Sequence, residues 1–83
     1  MSVDYSRLRS TTLRQLAAAL EMDGFSLHRQ RGSHRRYRHP GGRQVTLSFH
    51  HTSDTFPHVT LRSIMEIQAR WTEQDLRRLG LTE

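Results

Sequence analysis

Apolar residues are sparse in this chain, and their spacing sets helical stretches around a strand-forming middle. Leu13, Leu16, Ala17 and Leu20 recur at the three-and-four spacing of one helical face. Thr12, with Gln15 three residues on, has the form of a capping box, and Gly24 offers a left-handed stop. From Phe25 the period falls to two. Phe25 and Leu27 alternate with Ser26 and His28, Tyr37 stands alone among His and Arg, and Val45, Leu47 and Phe49 alternate with Thr46, Ser48 and His50. Gly32-Ser33 and Pro40-Gly41-Gly42 separate these runs as turn signals. The pattern predicts a three-stranded antiparallel meander. Its buried face is expected to carry Phe25, Leu27, Tyr37, Val45, Leu47 and Phe49; Arg35 and His39 share the parity of Tyr37. The open face is expected to carry His28, Gln30, His34, Arg36, Arg38, Thr46, Ser48 and His50, unless a slip or bulge exchanges the two sets.

After a polar loop, Thr60 is expected to cap a second helix with Leu61, Ile64, Met65 and Ala69 on its inner side. Thr72 and Asp75 form a second capping pair, with Trp71 and Leu76 placed as a hydrophobic staple and Gly80 as the stop. The order helix, three strands, helix, short helix predicts an α+β two-layer sandwich with its helices on one sheet face. Residues 1–10 read as a flexible N-terminal arm and 11–83 as a single domain.

Charge changes this picture more than composition does. An 83-residue chain makes one small domain with a thin core. Without cysteine it has neither a disulfide framework nor a thiolate metal site, in keeping with a cytoplasmic location. No run suits a signal peptide or a membrane span, so no membrane partner is expected. Between Gly24 and Ser53 there are six Arg and no Asp or Glu, so that window carries +6 of a net +5 and the remainder −1. Arg29, Arg31, Arg35, Arg36, Arg38 and Arg43 concentrate a positive field whose natural partner is a nucleic-acid backbone.

The same window carries a family resemblance. Phe25, the run Arg29-Gln30-Arg31-Gly32-Ser33-His34, the run Tyr37-Arg38-His39-Pro40-Gly41-Gly42-Arg43, Val45-Thr46, His50 and Thr60-Leu61-Arg62-Ser63-Ile64 together resemble the HicA (YcfA-like) toxin family over roughly residues 12–79. The resemblance implies a fold like the double-stranded-RNA-binding domain, in α-β-β-β-α order. It also implies an mRNA interferase that blocks translation, an RNA substrate, a HicB-like antitoxin partner, and a catalytic role for the His of Gly-Ser-His, here His34. Ser48 stands where the family usually has Pro, Val59 where it usually has Gly, and the loop between His50 and Val59 lacks the usual lysines.

The residue chemistry is compatible with that implication. RNA carries its own nucleophile, the ribose 2′-hydroxyl, so cleavage needs a base, stabilisation of charge on phosphorus, and an acid for the leaving oxygen. Histidine suits the base, and arginine suits the crowded phosphate. His34 is thus the candidate base, His50 a candidate partner on the same expected face, and the six Arg the RNA-binding groups, with Gly32 and Ser33 shaping the turn. No metal or cofactor is expected, because the window holds no acidic pair and a His50–His51–His58 zinc site would need neighbouring side chains that point apart. Two alternatives stand beside the nuclease: a non-catalytic RNA-binding module of the same fold, and a structural or regulatory protein that binds an acidic protein partner.

Overall fold

A capping box opens the first helix of the structure, a computed structural model that describes residues 3–82. Helix α1 spans Leu13–Met22. The Thr12 hydroxyl accepts the Gln15 N–H at 3.2 Å, and the Gln15 side-chain carbonyl accepts the Thr12 N–H at 2.8 Å. Two further N–H groups of the first turn, from Leu13 and Arg14, donate to the carbonyls of Asp54 and Thr52 at 2.8 and 3.0 Å. Donors that helix geometry leaves unpaired are thus satisfied by the loop that follows the sheet. The helix stops at Gly24, whose φ of +97° suits a residue without Cβ.

Three antiparallel strands follow, β1 (Ser26–Arg31), β2 (His34–Arg38) and β3 (Gln44–Ser48), in spatial order β1-β2-β3. Tyr37, Val45 and Leu47 of the inner face are fully buried, with Leu13, Leu16, Leu20, Leu61, Met65 and Leu76 from the helices. The expected α+β order, helices on one face of a meander, is the observed one. Among the described residues no helix is long and apolar enough to cross a membrane.

Helix α2 (His58–Arg62) begins three residues earlier than expected, after Pro57 at the N-cap and not Thr60. The proline N has no hydrogen to leave unpaired, and its ring sets the entry φ at −57°. The helix then widens into a π-helical segment, Ser63–Gln68, closed by the Ala69 N–H donating to the Ile64 carbonyl at 2.9 Å. Arg70, with φ +58°, turns the chain out of it. In this arrangement Gln68 reaches β3. Its carbonyl accepts the Thr46 N–H at 2.8 Å on the strand's free edge, and its amide donates to Ser63 Oγ at 3.2 Å. Helix α3 (Glu73–Arg78) starts with the Thr72–Asp75 capping box, and Trp71 and Leu76 are both buried.

Two other expectations need correction. The segment expected to be a flexible arm is packed over its described part. Tyr5–Leu8 forms a 3₁₀ turn, and Tyr5 and Leu8 enter the core because two apolar groups three apart share one side of that turn. Met1 and Ser2 of that arm lie outside the described residues. Leu27, assigned to the core face, is 46% exposed. It pairs with Tyr37 and so faces the helical layer, yet every residue of β1 is exposed, because β1 lies at the sheet edge away from the α2 segment packed on β3.

One carboxylate ties the layers together. Asp23, whose side chain is 10% exposed, accepts the Trp71 indole N–H at 2.8 Å, Arg43 Nη1 at 3.1 Å and Arg78 Nη2 at 2.7 Å. Burial acts to raise its pKa, but the Trp71 and Arg78 hydrogen bonds and the charges of Arg43 and Arg78 outweigh it and hold the carboxyl below its ordinary value. Its backbone carbonyl faces His39 Nε2 at 3.0 Å, while His39 Nδ1 accepts the Gly41 N–H at 2.9 Å. With Nδ1 accepting, Nε2 must carry the proton and donate to Asp23. His39 is therefore a clamp between the end of α1 and the β2–β3 turn.

Candidate nucleic-acid interface

The open face of the sheet is assembled by a turn and a bulge. Arg31 pairs with His34 across the two-residue turn Gly32-Ser33. Gly32 has φ +57° and Ser33 does not share the positive φ, the placement that a type II′ hairpin uses. Further along, Leu27 pairs with Tyr37 but Arg29 pairs with Arg36, so the ladder carries a β-bulge at His28. One extra residue reverses the parity of everything after it. Arg29 and Arg31 therefore join the face of His34 and Arg36, and Gln30, opposite Arg35, moves to the other. That corrects the expected placing of Gln30.

The result is a shallow groove of about 260 Å³ lined by Arg29, Arg31, His34, Arg36 and Thr46. His34 and the three arginines are exposed. Arg38 is exposed on the same strand parity, opposite Ser26 and Gln44. Among the described residues none of Arg29, Arg31, Arg36 and Arg38 makes an ion pair; Asp4, Asp23, Glu66, Glu73 and Asp75 pair instead with Arg7, Arg43, Arg62, Arg77 and Arg78. Four guanidiniums held side by side without counter-charges make a strong positive field, and their flat forks match phosphate oxygens.

Among the described residues the imidazole of His34 has one hydrogen-bond partner. His34 stands directly opposite Ser48 on β3, and Ser48 Oγ lies 3.0 Å from Nδ1. The pair sits beside the Phe49 N–H to Ser33 carbonyl bond of 2.9 Å, and the Thr46 N–H two residues on turns outward to Gln68. His34–Ser48 is therefore a non-hydrogen-bonded ladder position, where facing side chains come closest.

Three of the expected site residues lie elsewhere. Arg35 points to the helical side: its guanidinium stacks 4.8 Å from the Phe49 ring centre and its Nη1 donates to the Tyr37 hydroxyl at 3.5 Å. It shares the parity of buried Tyr37, so it cannot reach a ligand on the open face. Arg43 is spent on Asp23, on the Ala69 carbonyl at 2.7 Å and on the Phe25 ring at 5.0 Å. His50 lies past the end of β3, and its N–H donates to Asp54 Oδ2 at 2.7 Å. Together with the His51 N–H, that bond draws the Asp54 carboxyl below its ordinary pKa and folds the loop toward α1. The His50 ring does not line the groove or hydrogen-bond to His34.

Ser48 and Thr46 were placed on the open face by alternation, but nothing in the residues gave them a part to play. The register supplies it. The pairing across Gly32-Ser33 and across the Pro40–Arg43 loop sets Ser48 against His34, and that pairing is a long-range property of the folded chain.

No curated protein matches the chain closely enough to be reported as a relative. The profile of the family described as "HicA toxin of bacterial toxin-antitoxin" matches residues 13–71, from the first turn of α1 to the tryptophan just before the N-cap of α3. That span contains the whole sheet, the bulge, His34 and the four free arginines, and on it the chain belongs to the HicA family of bacterial toxin–antitoxin toxins.

Proposed function

We propose that this toxin is an mRNA interferase, a metal-independent endoribonuclease of the cytoplasm, with His34 as its general base. The observation that supports the reading most directly is an exposed imidazole set among unpaired guanidiniums on one open sheet face. An RNA strand lies along Arg29, Arg31, Arg36 and Arg38 through its phosphates, as the family's implied RNA target requires. His34 takes the proton of a ribose 2′-hydroxyl. The 2′-oxygen then bonds to the adjacent phosphorus as the bond from phosphorus to the 5′-oxygen breaks, and the departing oxygen takes a proton from water. The products are a 2′,3′-cyclic phosphate and a 5′-hydroxyl. Arginine charge stabilises the additional negative charge at phosphorus. Membership implies an antitoxin partner, and a HicB-like protein is the one we propose.

His34→Ala separates this from a non-catalytic RNA-binding module. The expected result is a fall in cleavage of about 100-fold or more, the ordinary share of a general base, with RNA affinity retained and growth arrest lost. Unchanged cleavage by the His34→Ala protein would remove the assignment, as would native products ending in a linear 3′-hydroxyl.

A further inference from the structure

We infer that Ser48 is the positioning residue of the site: its hydroxyl accepts the Nδ1 proton of His34, fixes the ring's tautomer and leaves Nε2 as the basic nitrogen over the arginine groove. This rests on the reading of His34 as the base. The 3.0 Å contact between Ser48 Oγ and His34 Nδ1 can run in two directions, because a hydroxyl both donates and accepts. If the hydroxyl donated, Nδ1 would hold the lone pair and Nε2 the proton. The basic nitrogen would then be the one already occupied by protein. If Nδ1 donates, Nε2 carries the lone pair, and among the described residues it has no protein partner.

Proton transfer itself favours the second direction. Once Nε2 accepts the substrate proton, the ring is an imidazolium and both nitrogens are donors. A Ser48 oxygen that already accepts from Nδ1 needs no rearrangement at that moment. An oxygen that had been donating would have to rotate its hydrogen away first. Preorganised partners of this kind orient a working histidine and select its tautomer.

The fold holds the pair in place. His34 is fixed by the Gly32-Ser33 turn on one side and Ser48 by the Phe49–Ser33 backbone bond on the other. Both sit on the strand ladder and not in a loop, at the ladder position that brings facing side chains closest. Thr46, the hydroxyl that lines the groove, stands opposite Arg36 instead.

The test compares native protein with Ser48→Ala, Ser48→Thr and His34→Ala, each labelled with ¹⁵N in the imidazole rings. Ring-nitrogen shifts read the tautomer, and cleavage of a short oligoribonucleotide is followed across pH. Ser48 is exposed, so its replacement leaves the core intact. In native protein Nδ1 of His34 is expected to be the protonated nitrogen. Ser48→Ala moves the ring toward the Nε2–H form and lowers cleavage about fivefold, the factor that one ordinary hydrogen bond is worth; Ser48→Thr restores both. If Nε2 carries the proton in native protein, or if Ser48→Ala changes neither tautomer nor rate while His34→Ala is inactive, Ser48 has no positioning role and the nuclease assignment stands. If His34→Ala still cleaves, the nuclease assignment itself is wrong.

Discussion

Replacing arginines in sets tests how the fold divides the basic window. Of its six arginines, Arg29, Arg31, Arg36 and Arg38 are exposed and unpaired on the open face, while Arg35 and Arg43 are turned to the core side and held there. If each exposed guanidinium neutralises one phosphate of a single strand, the slope of log affinity against log salt is about −0.7 per contact and about −3 for the face. Raising salt from about 50 to about 200 mM should then weaken binding roughly fiftyfold. The triple variant Arg29→Ala/Arg31→Ala/Arg36→Ala keeps one contact, so its slope falls to about −0.7 and the same salt step costs only about threefold. Arg35→Ala and Arg43→Ala should leave the slope near that of the parent. The assay is fluorescence anisotropy of a labelled oligoribonucleotide, with every variant made in a His34→Ala background so that the RNA stays whole. Circular dichroism confirms folding, since Arg43→Ala breaks an interior tie. A slope flattened as much by Arg35→Ala or Arg43→Ala as by Arg29→Ala would refute the division, and so would a triple variant whose slope stays near −3.

Three further outcomes follow from the fold. Asp23→Ala should destabilise the domain by about 2–4 kcal/mol, below the roughly 3–5 kcal/mol for breaking a fully buried pair because Arg78 is half-exposed; chemical denaturation measures it, and a loss below about 1 kcal/mol would show that Asp23 is no lock. Because the folded Asp23 carboxyl titrates below its ordinary value near 3.8, its contribution is complete above that value and is lost as pH falls through the lower folded one. The pH dependence of stability in that acid range should therefore be weaker in Asp23→Ala than in the parent. Deleting His28, the extra residue of the bulge, should leave Arg29 and Arg31 on the groove side and the salt slope unchanged, because Arg29 would still meet Arg36; a deletion variant that folds but loses the slope would show that the bulge shapes the groove as well as its parity.

Most of the fold could be read locally, and the exceptions share a cause. Thr12 with Gln15 and Thr72 with Asp75 act within four residues of chain, and both boxes formed as their spacing predicts. Tyr37, Val45 and Leu47 were placed inward by alternation alone. The bulge could not be located that way, because it depends on which β2 residue each β1 residue meets. The π-helical turn was equally hidden, since Leu61, Ile64 and Met65 fit an ordinary helix and the wider turn shows only in the Ala69–Ile64 bond. For the site, the position of His34 beside a turn and among arginines was legible, as was the inward parity that Arg35 shares with Tyr37. The engagement of Arg43 was not: it needs Asp23, Phe25 and Ala69, which come together only when α1, the sheet and the α2 segment have packed.

The side-chain carbonyl that Gln68 offers to the Thr46 N–H has an effect beyond holding a helix against a strand. A three-membered layer has two margins, and either can seed indefinite stacking of one copy on the next. Here one margin is stoppered by a glutamine from the same molecule, and the other bears a row of like charges that would meet their own kind in a second copy. On the proposed function, the flat polar face between these two margins is left for an RNA strand, and neither margin invites a second copy to extend the sheet.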